Sequence, residues 1–119
     1  MQIDKIIRKV ILETINEKSY PKGLSNVIKR RVSAEELENA FQETKDYIVP
    51  NFKKPNHTWY NEGYKNFTRI FVSMIIDDIH YLLHSQLPED SNWYEGIYQN
   101  LYQVYNERIE DIYFNEVKG

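Results

Sequence analysis

One stretch near the middle of the chain is apolar around most of a helical circumference. At 100° per residue, eleven apolar side chains between residues 67 and 83 cover about two thirds of a helix surface. They are Phe67, Ile70, Phe71, Val72, Met74, Ile75, Ile76, Ile79, Tyr81, Leu82 and Leu83. A helix with so much apolar surface has to be covered by other elements. The pattern predicts a central buried helix over residues 58–86, with a later start near Asn66 as the alternative because Gly63 weakens the first turns.

Three more long segments carry helical periodicity and are predicted to surround the central helix. Residues 2–18 present an aliphatic stripe, and residues 92–117 form a tyrosine-rich amphipathic segment. Residues 34–49 follow a capping box made by Ser33 and Glu36 and end before Pro50. A short helix is predicted near residues 24–32, and no segment alternates with the period of a strand. The prediction is therefore an all-α, single-domain helical bundle over residues 1–119.

Composition narrows the class of protein. The chain has 119 residues, 41% of them hydrophobic, and no cysteine, which excludes disulfides and thiolate chemistry. The first twenty residues mix acids and bases without a cleavage site for a signal peptide, and no apolar run is long enough for a membrane span. We expect a cytoplasmic protein without a cofactor, and the preference for isoleucine, asparagine and lysine suggests an AT-rich bacterial or phage genome.

The segment 92–117 has two neighbouring stripes with different characters. Trp93, Ile97, Leu101 and Val104 form an aliphatic stripe that is expected to pack on the central helix. The other stripe consists of Tyr94, Tyr98, Tyr102 and Ile109. Tyrosine suits both the margin of a core and a binding surface, so both interpretations stay open for this stripe. The outer margin expected to meet a partner consists of Tyr94, Tyr102 and Tyr113.

Acidic residues accompany these tyrosines. The net charge of the chain is −3, and residues 87–119 hold seven acids against two bases. The predicted partner-binding residues are Tyr94, Tyr98, Tyr102 and Tyr113 with Glu95, Glu107, Glu110 and Asp111, extended by Glu35 and Glu43 of the preceding helix. This pattern favours a non-enzymatic inhibitor of immunity or antitoxin type that neutralises a basic protein such as a bacterial nuclease toxin. A homodimer packed through the tyrosines is the structural alternative.

A second functional hypothesis is nucleic-acid binding. Lys29, Arg30 and Arg31 form a basic cluster, while Trp59, Tyr60 and Tyr64 could stack on bases. A sequence pI of 5.6 gives no broad basic footprint, so nucleic acid is the less favoured partner. Packing of Trp59 and Phe67 over the end of the bundle is the simpler interpretation of these aromatics.

Polar residues on the central helix raise two further questions. Asp77, His80 and His84 share one face at metal-ligand spacing, although a solvated face explains them more simply and no metal is predicted. Asp78 points into the apolar arc, which predicts a buried carboxylate bonded to Tyr98 or Tyr102. Arg108 is offset from it by about 10 Å along the helix axis and is not its expected partner. No glycine-rich phosphate loop or nucleophile elbow supports an enzyme.

Overall fold

The structure, a computed structural model, describes residues 20–84 and 92–119. This part of the chain holds four α-helices and a π-helical turn, and it contains no strand. The helices are α1 (Asn26–Arg31), α2 (Ala34–Phe52), α3 (Tyr64–His84) and α4 (Asn92–Ile112), and the π-turn is Tyr113–Val117. The all-α prediction is confirmed, whereas the predicted helix 2–18 and the end of the predicted helix 58–86 lie outside the described residues.

Helix α3 lies at the centre of the described bundle. It packs along α2 on one side and α4 on the other, and it also contacts α1. Its residues Phe67, Phe71, Ile75 and Ile76 have no solvent exposure. Phe71 contacts the ring of Phe41 on α2 at a centroid distance of 4.8 Å. The wide apolar surface read from the sequence thus places α3 in the core, as predicted.

Helix α2 begins where predicted and ends one turn later. The Ser33 hydroxyl accepts a hydrogen bond from the Glu36 amide at 3.0 Å, and the Glu36 carboxylate accepts one from the Ser33 amide at 2.9 Å. The predicted end before Pro50 is wrong, because the helix continues through Pro50 to Phe52. Pro50 sits in the last turn, where Asn51 Nδ2 donates to the Tyr47 carbonyl at 2.8 Å and satisfies one of the terminal carbonyls. Burial of Phe52 against Phe67 favours this extra turn.

Helix α3 starts at Tyr64, six residues after the start predicted at Thr58. Residues 53–63 instead form successive turns, with hydrogen bonds from the His57 amide to the Lys54 carbonyl and from the Tyr60 amide to the His57 carbonyl. Gly63 precedes the first helical residue, in agreement with its weak helix propensity. Trp59 of this loop stacks on Phe52 at 5.4 Å and closes that end of the bundle, as the simpler interpretation of the aromatics predicts.

The turn before α1 is attached to α4 by one asparagine. Asn100 Oδ1 accepts a hydrogen bond from the Ser25 amide at 2.7 Å, and Asn100 Nδ2 donates to the Gly23 carbonyl at 3.0 Å. Gly23 has φ +89°, a left-handed conformation that glycine adopts without strain. The Tyr20 hydroxyl donates to the Val32 carbonyl at 2.7 Å and joins the two ends of the segment around α1. None of the helices in the described part of the chain combines the length and apolar character of a membrane span.

Candidate protein-binding surface

Helix α4 has a clear division between a core face and an outer face. Ile97, Leu101, Tyr105 and Ile109 are buried against the rest of the bundle. Ile97 and Leu101 confirm the predicted aliphatic stripe, while its other members, Trp93 and Val104, are only partly buried. The burial of Tyr105 was not predicted, and burial raises the pKa of its hydroxyl. The outer face is therefore narrower than the number of tyrosines in the segment suggests.

Three of the predicted tyrosines form a row along one edge of this outer face. Tyr94 is 38% exposed, and Tyr98 and Tyr102 are half-buried. The rings of Tyr98 and Tyr102 lie 6.2 Å apart with an interplanar angle of 32°. Burial raises the pKa of Tyr98, and its neighbour Tyr102 acts in the same direction. Each of these side chains is partly buried and partly exposed, as an interface anchor requires.

The C-terminal π-turn changes which aromatic side chain is exposed at the C-terminal end of the predicted outer margin. Tyr113 is only 4% exposed and packs on Phe67 at 5.2 Å, so its predicted place at the outer margin is wrong. Phe114 is 52% exposed instead and stacks on Tyr64 at 5.8 Å. The Tyr64 hydroxyl donates to Asn106 Oδ1 at 2.5 Å, which fixes the ring beside α4. A π-turn has more residues per turn than an α-helix, so the 3.6-residue period does not locate these two side chains.

The carboxylates predicted on α4 are exposed. They are Glu95, Glu107, Glu110 and Asp111. Between described residues, salt bridges join Lys45 to Glu116 at 3.4 Å and Arg108 to Glu38 at 2.5 Å, and neither uses these four carboxylates. Asp111 lines a cleft together with Lys45 and Arg108, so the negative charge of the outer face of α4 comes mainly from Glu95, Glu107 and Glu110.

Arg108 adds no free positive charge to this face because its guanidinium is clamped to α2. Its Nη1 donates to Glu38 Oε2 at 2.8 Å and its Nη2 donates to Glu38 Oε1 at 2.5 Å. The guanidinium carbon also lies 3.9 Å from the centre of the Phe41 ring. The hydrogen bonds from Arg108 hold the pKa of the Glu38 carboxyl below its ordinary value of 4.5. The prediction that Arg108 is not the partner of Asp78 agrees with this geometry.

The two acids predicted on α2, Glu35 and Glu43, are both exposed. Glu43 follows Glu38 by five residues, a rotation of roughly 140° around the helix. It therefore faces α3, where it lies beside Asp78, and it does not extend the surface of α4. Glu35 is exposed as well, and its part in the binding surface stays a prediction.

Asp78 itself contradicts the prediction of a buried carboxylate bonded to a tyrosine. It is exposed, and its neighbour is the Glu43 carboxylate. Partial desolvation raises the pKa of Asp78, and the negative charge of Glu43 raises it further. Asp78 and Glu43 are both exposed, so the Asp78 side chain points within the apolar arc of α3 and still reaches solvent between α2 and α3.

The residues of the nucleic-acid hypothesis do not form one surface. Lys29, Arg30 and Arg31 belong to α1, next to the start of α2, whereas Trp59 stacks on Phe52 at its end. The 19 residues of α2 separate the two groups by about 28 Å along the helix axis. Tyr64 is directed to Asn106 and Phe114.

The candidate metal ligands on α3 are not gathered around a point in the described residues. Asp77 is exposed, and the His80 ring lies 5.5 Å from that of Trp93. No group of three or more histidine, aspartate or glutamate side chains in residues 20–83 and 93–119 is arranged to hold a metal ion. The side chain of His84 lies outside the described residues.

Comparison of the chain with protein families, with curated proteins and with solved structures found no match. The surface of α4 therefore has to be interpreted from its own chemistry.

Proposed function

We propose that this chain is a non-enzymatic protein-binding protein. Its role would be that of an acidic inhibitor of immunity or antitoxin type, which neutralises a basic partner such as a bacterial nuclease toxin by direct binding. The observation that carries the proposal is the outer face of α4. This face carries exposed carboxylates without a salt bridge to a described residue, and a row of half-exposed tyrosines borders it on one side. Asp111 lies at its other border, roughly 180° around the helix from Tyr102 and beside Lys45 and Arg108.

The two kinds of side chain would have different tasks in binding. Exposed carboxylates attract a basic partner over a distance of about one Debye length, which raises the rate of encounter. Tyr94, Tyr98 and Tyr102 supply the contact area that slows dissociation, since aromatic anchors dominate most interfaces. Tyrosine rings also accept arginine side chains in cation–π contacts, which suits a basic partner.

The size of the surface defines how much of the bundle the partner has to cover. Helix α4 has 21 residues and is about 31 Å long. An exposed strip about 12 Å wide along this length offers roughly 370 Å², less than the roughly 800 Å² that one partner contributes to a standard interface. The partner is therefore expected to reach beyond α4, to Glu35 of α2 and to the exposed ring of Phe114.

Affinity capture with charge-reversed variants tests the proposal. The tagged chain is used to capture proteins from the source organism at low and at high salt, beside the variant Glu107→Lys/Glu110→Lys. A matched control, Asp46→Lys/Asp77→Lys, reverses two exposed acids on α2 and α3. We expect a basic protein that is captured by the wild type and the control, is lost with the α4 variant and is released by salt.

The captured protein is then purified and its own activity is measured while the chain is added. An inhibitor that acts by direct binding should abolish that activity at a one-to-one ratio. Capture that is unaffected by Glu107→Lys/Glu110→Lys, or a captured partner whose activity persists in the complex, would contradict the proposal.

A further inference from the structure

A cleft opens at the end of the bundle where α2 stops and the π-turn follows α4. Its volume is about 400 Å³, within the size range of small-molecule sites. Three separate segments contribute its walls, which consist of Phe52, Lys53, Tyr60, Asn61, Val117 and Lys118. None of these residues belongs to the surface proposed for protein binding, so the cleft is a separate candidate binding site.

The walls of the cleft combine apolar, aromatic and amide groups. Phe52 is buried and gives an apolar base, while the ring of Tyr60 is 42% exposed and can be approached from solvent. The amide of Asn61, also exposed, supplies two donors and an acceptor. Such a combination of an open aromatic ring, an apolar base and an amide suits a planar heterocycle.

Two lysines give the cleft a local positive charge in a chain with a net charge of −3. Lys53 and Lys118 are exposed, and neither forms a salt bridge with a described residue. The Lys118 ammonium lies 5.9 Å from the centre of the Tyr113 ring, which places it on the bundle side of the C-terminal segment. Lysine is a common point-charge ligand for phosphate.

The carboxyl end of α2 also lies at the cleft, and its free carbonyls would oppose an anion. Two of these carbonyls are occupied: that of Pro50 accepts from the Lys53 amide at 3.2 Å, and that of Asn51 accepts from the Lys54 amide at 3.3 Å. With Lys54 as a third exposed base nearby, positive charge outweighs the partial charge of the helix end.

The wall contributed by the C-terminal segment follows from an unusual backbone. Lys118 N–H donates to the Tyr113 carbonyl at 2.9 Å, the i to i+5 bond of a π-turn. Single π-turns are rare and occur frequently at functional sites, where they reposition side chains. Here the π-turn buries Tyr113 and leads into Val117 and Lys118, which line the cleft.

We propose that this cleft binds a nucleoside phosphate, either free or at the end of a single strand. Tyr60 stacks on the base, Asn61 contacts the edge of the base, and Lys53 and Lys118 bind the phosphate. This site goes beyond the proposed protein-binding function and uses none of its residues, so either proposal can fail without the other.

Calorimetric titration of the full chain at low salt with AMP, adenosine and inorganic phosphate tests the assignment. AMP should bind most tightly, because only AMP carries both the ring and the charge. The variant Lys53→Gln/Lys118→Gln should weaken AMP binding at least about tenfold, whereas the control Lys22→Gln/Lys65→Gln, which removes two exposed lysines outside the cleft, should change it less than about twofold.

Tyr60→Ala should weaken AMP about tenfold through lost stacking, while Tyr81→Ala at a fully separate exposed tyrosine should have no effect. All substituted side chains are exposed, so the variants should keep the helical circular dichroism of the wild type. A 5′-phosphorylated adenine trinucleotide distinguishes the source of the ligand: tighter binding than AMP assigns a strand end, and weaker binding assigns the free nucleotide. No heat with millimolar AMP, equal binding of AMP and phosphate, or equal losses in both lysine pairs would overturn the proposal.

Discussion

The clamp between α2 and α4 offers a quantitative test of the packing. Arg108 makes a bidentate ion pair with Glu38 and covers the ring of Phe41 at 3.9 Å. The two charged side chains are 43% and 45% exposed, so solvent screens their attraction. We expect the ion pair to contribute about 0.5–1 kcal/mol and the cation–π contact a similar amount. Arg108→Met removes both terms but keeps an apolar stem against Phe41.

A double-mutant cycle isolates the ion pair. The free energies of unfolding of wild type, Glu38→Gln, Arg108→Met and the double variant are measured by urea denaturation at neutral pH and low salt. The coupling energy should be about 0.5–1 kcal/mol, and Arg108→Lys should retain less than half of it because lysine cannot form the bidentate pair.

The dependence of this coupling on pH has a defined sign. The folded-state pKa of Glu38 lies below its ordinary value of 4.5, so its stabilising contribution is complete above pH 4.5. The contribution is lost as the pH falls through the folded-state pKa, because the protonated carboxyl no longer pairs with Arg108. A coupling energy of zero at neutral pH, or one that persists unchanged far below pH 4.5, would refute the clamp.

Three other predictions concern single substitutions at four positions. Gly23→Ala should destabilise the protein by about 1 kcal/mol, because Gly23 has a φ of +89°. Gly96→Ala, on the exposed side of α4, should stabilise it by about 0.5–1 kcal/mol. Chemical denaturation measures both free energies of unfolding, and equal effects of the two substitutions would contradict the assigned backbone. Burial and the charge of Glu43 raise the folded-state pKa of Asp78, so Asp78→Asn should raise Tm at neutral pH. The substitution should have no effect well below pH 3.8, where the Asp78 carboxyl of the wild type is also neutral. A gain in Tm that is independent of pH would count against the repulsion between Asp78 and Glu43. Phe71→Ala should cost about 3–5 kcal/mol in urea denaturation because its ring is fully buried, and a cost below about 1 kcal/mol would argue against a central α3.

Local signals in the sequence predicted the elements whose ends are set locally. Ser33 and Glu36 form the predicted capping box at the start of α2. The short helix before it appears as Asn26–Arg31, with the Ser25 hydroxyl accepting from the Val27 amide. The central position of α3 follows from its wide apolar surface, since such a helix cannot be solvated on that side.

Packing between helices determined what the sequence did not predict. Pro50 stays in α2 because Phe52 gains burial one turn later. The direction of Asp78 on α3 is known from the helical period, but whether α2 covers it depends on how far the two helices diverge. The partner of Arg108 depends likewise on the register of α4 against α2, which no local pattern encodes.

In the candidate surface, too, the residues on regular helix could be placed from the sequence, and those on irregular backbone could not. Tyr94, Tyr98 and Tyr102 could be placed on the margin of α4 because an α-helix of known period carries them. Tyr113 is buried although the sequence placed it at the outer margin, and Phe114, for which no prediction was made, is exposed, since the chain leaves the α-helical period at Ile112. No signal in the sequence marks that transition.

Hydroxyl-radical footprinting of the chain alone and in complex with its captured partner decides whether α4 is the binding surface, because this method reports the exposure of individual aromatic side chains. We expect Tyr94, Tyr98 and Tyr102 to lose reactivity on binding. Tyr47 and Tyr81, which are 54% and 86% exposed on α2 and α3, should keep theirs. Unchanged reactivity of the three α4 tyrosines, with protection of Tyr47 or Tyr81 instead, would contradict the assignment of α4 as the binding surface.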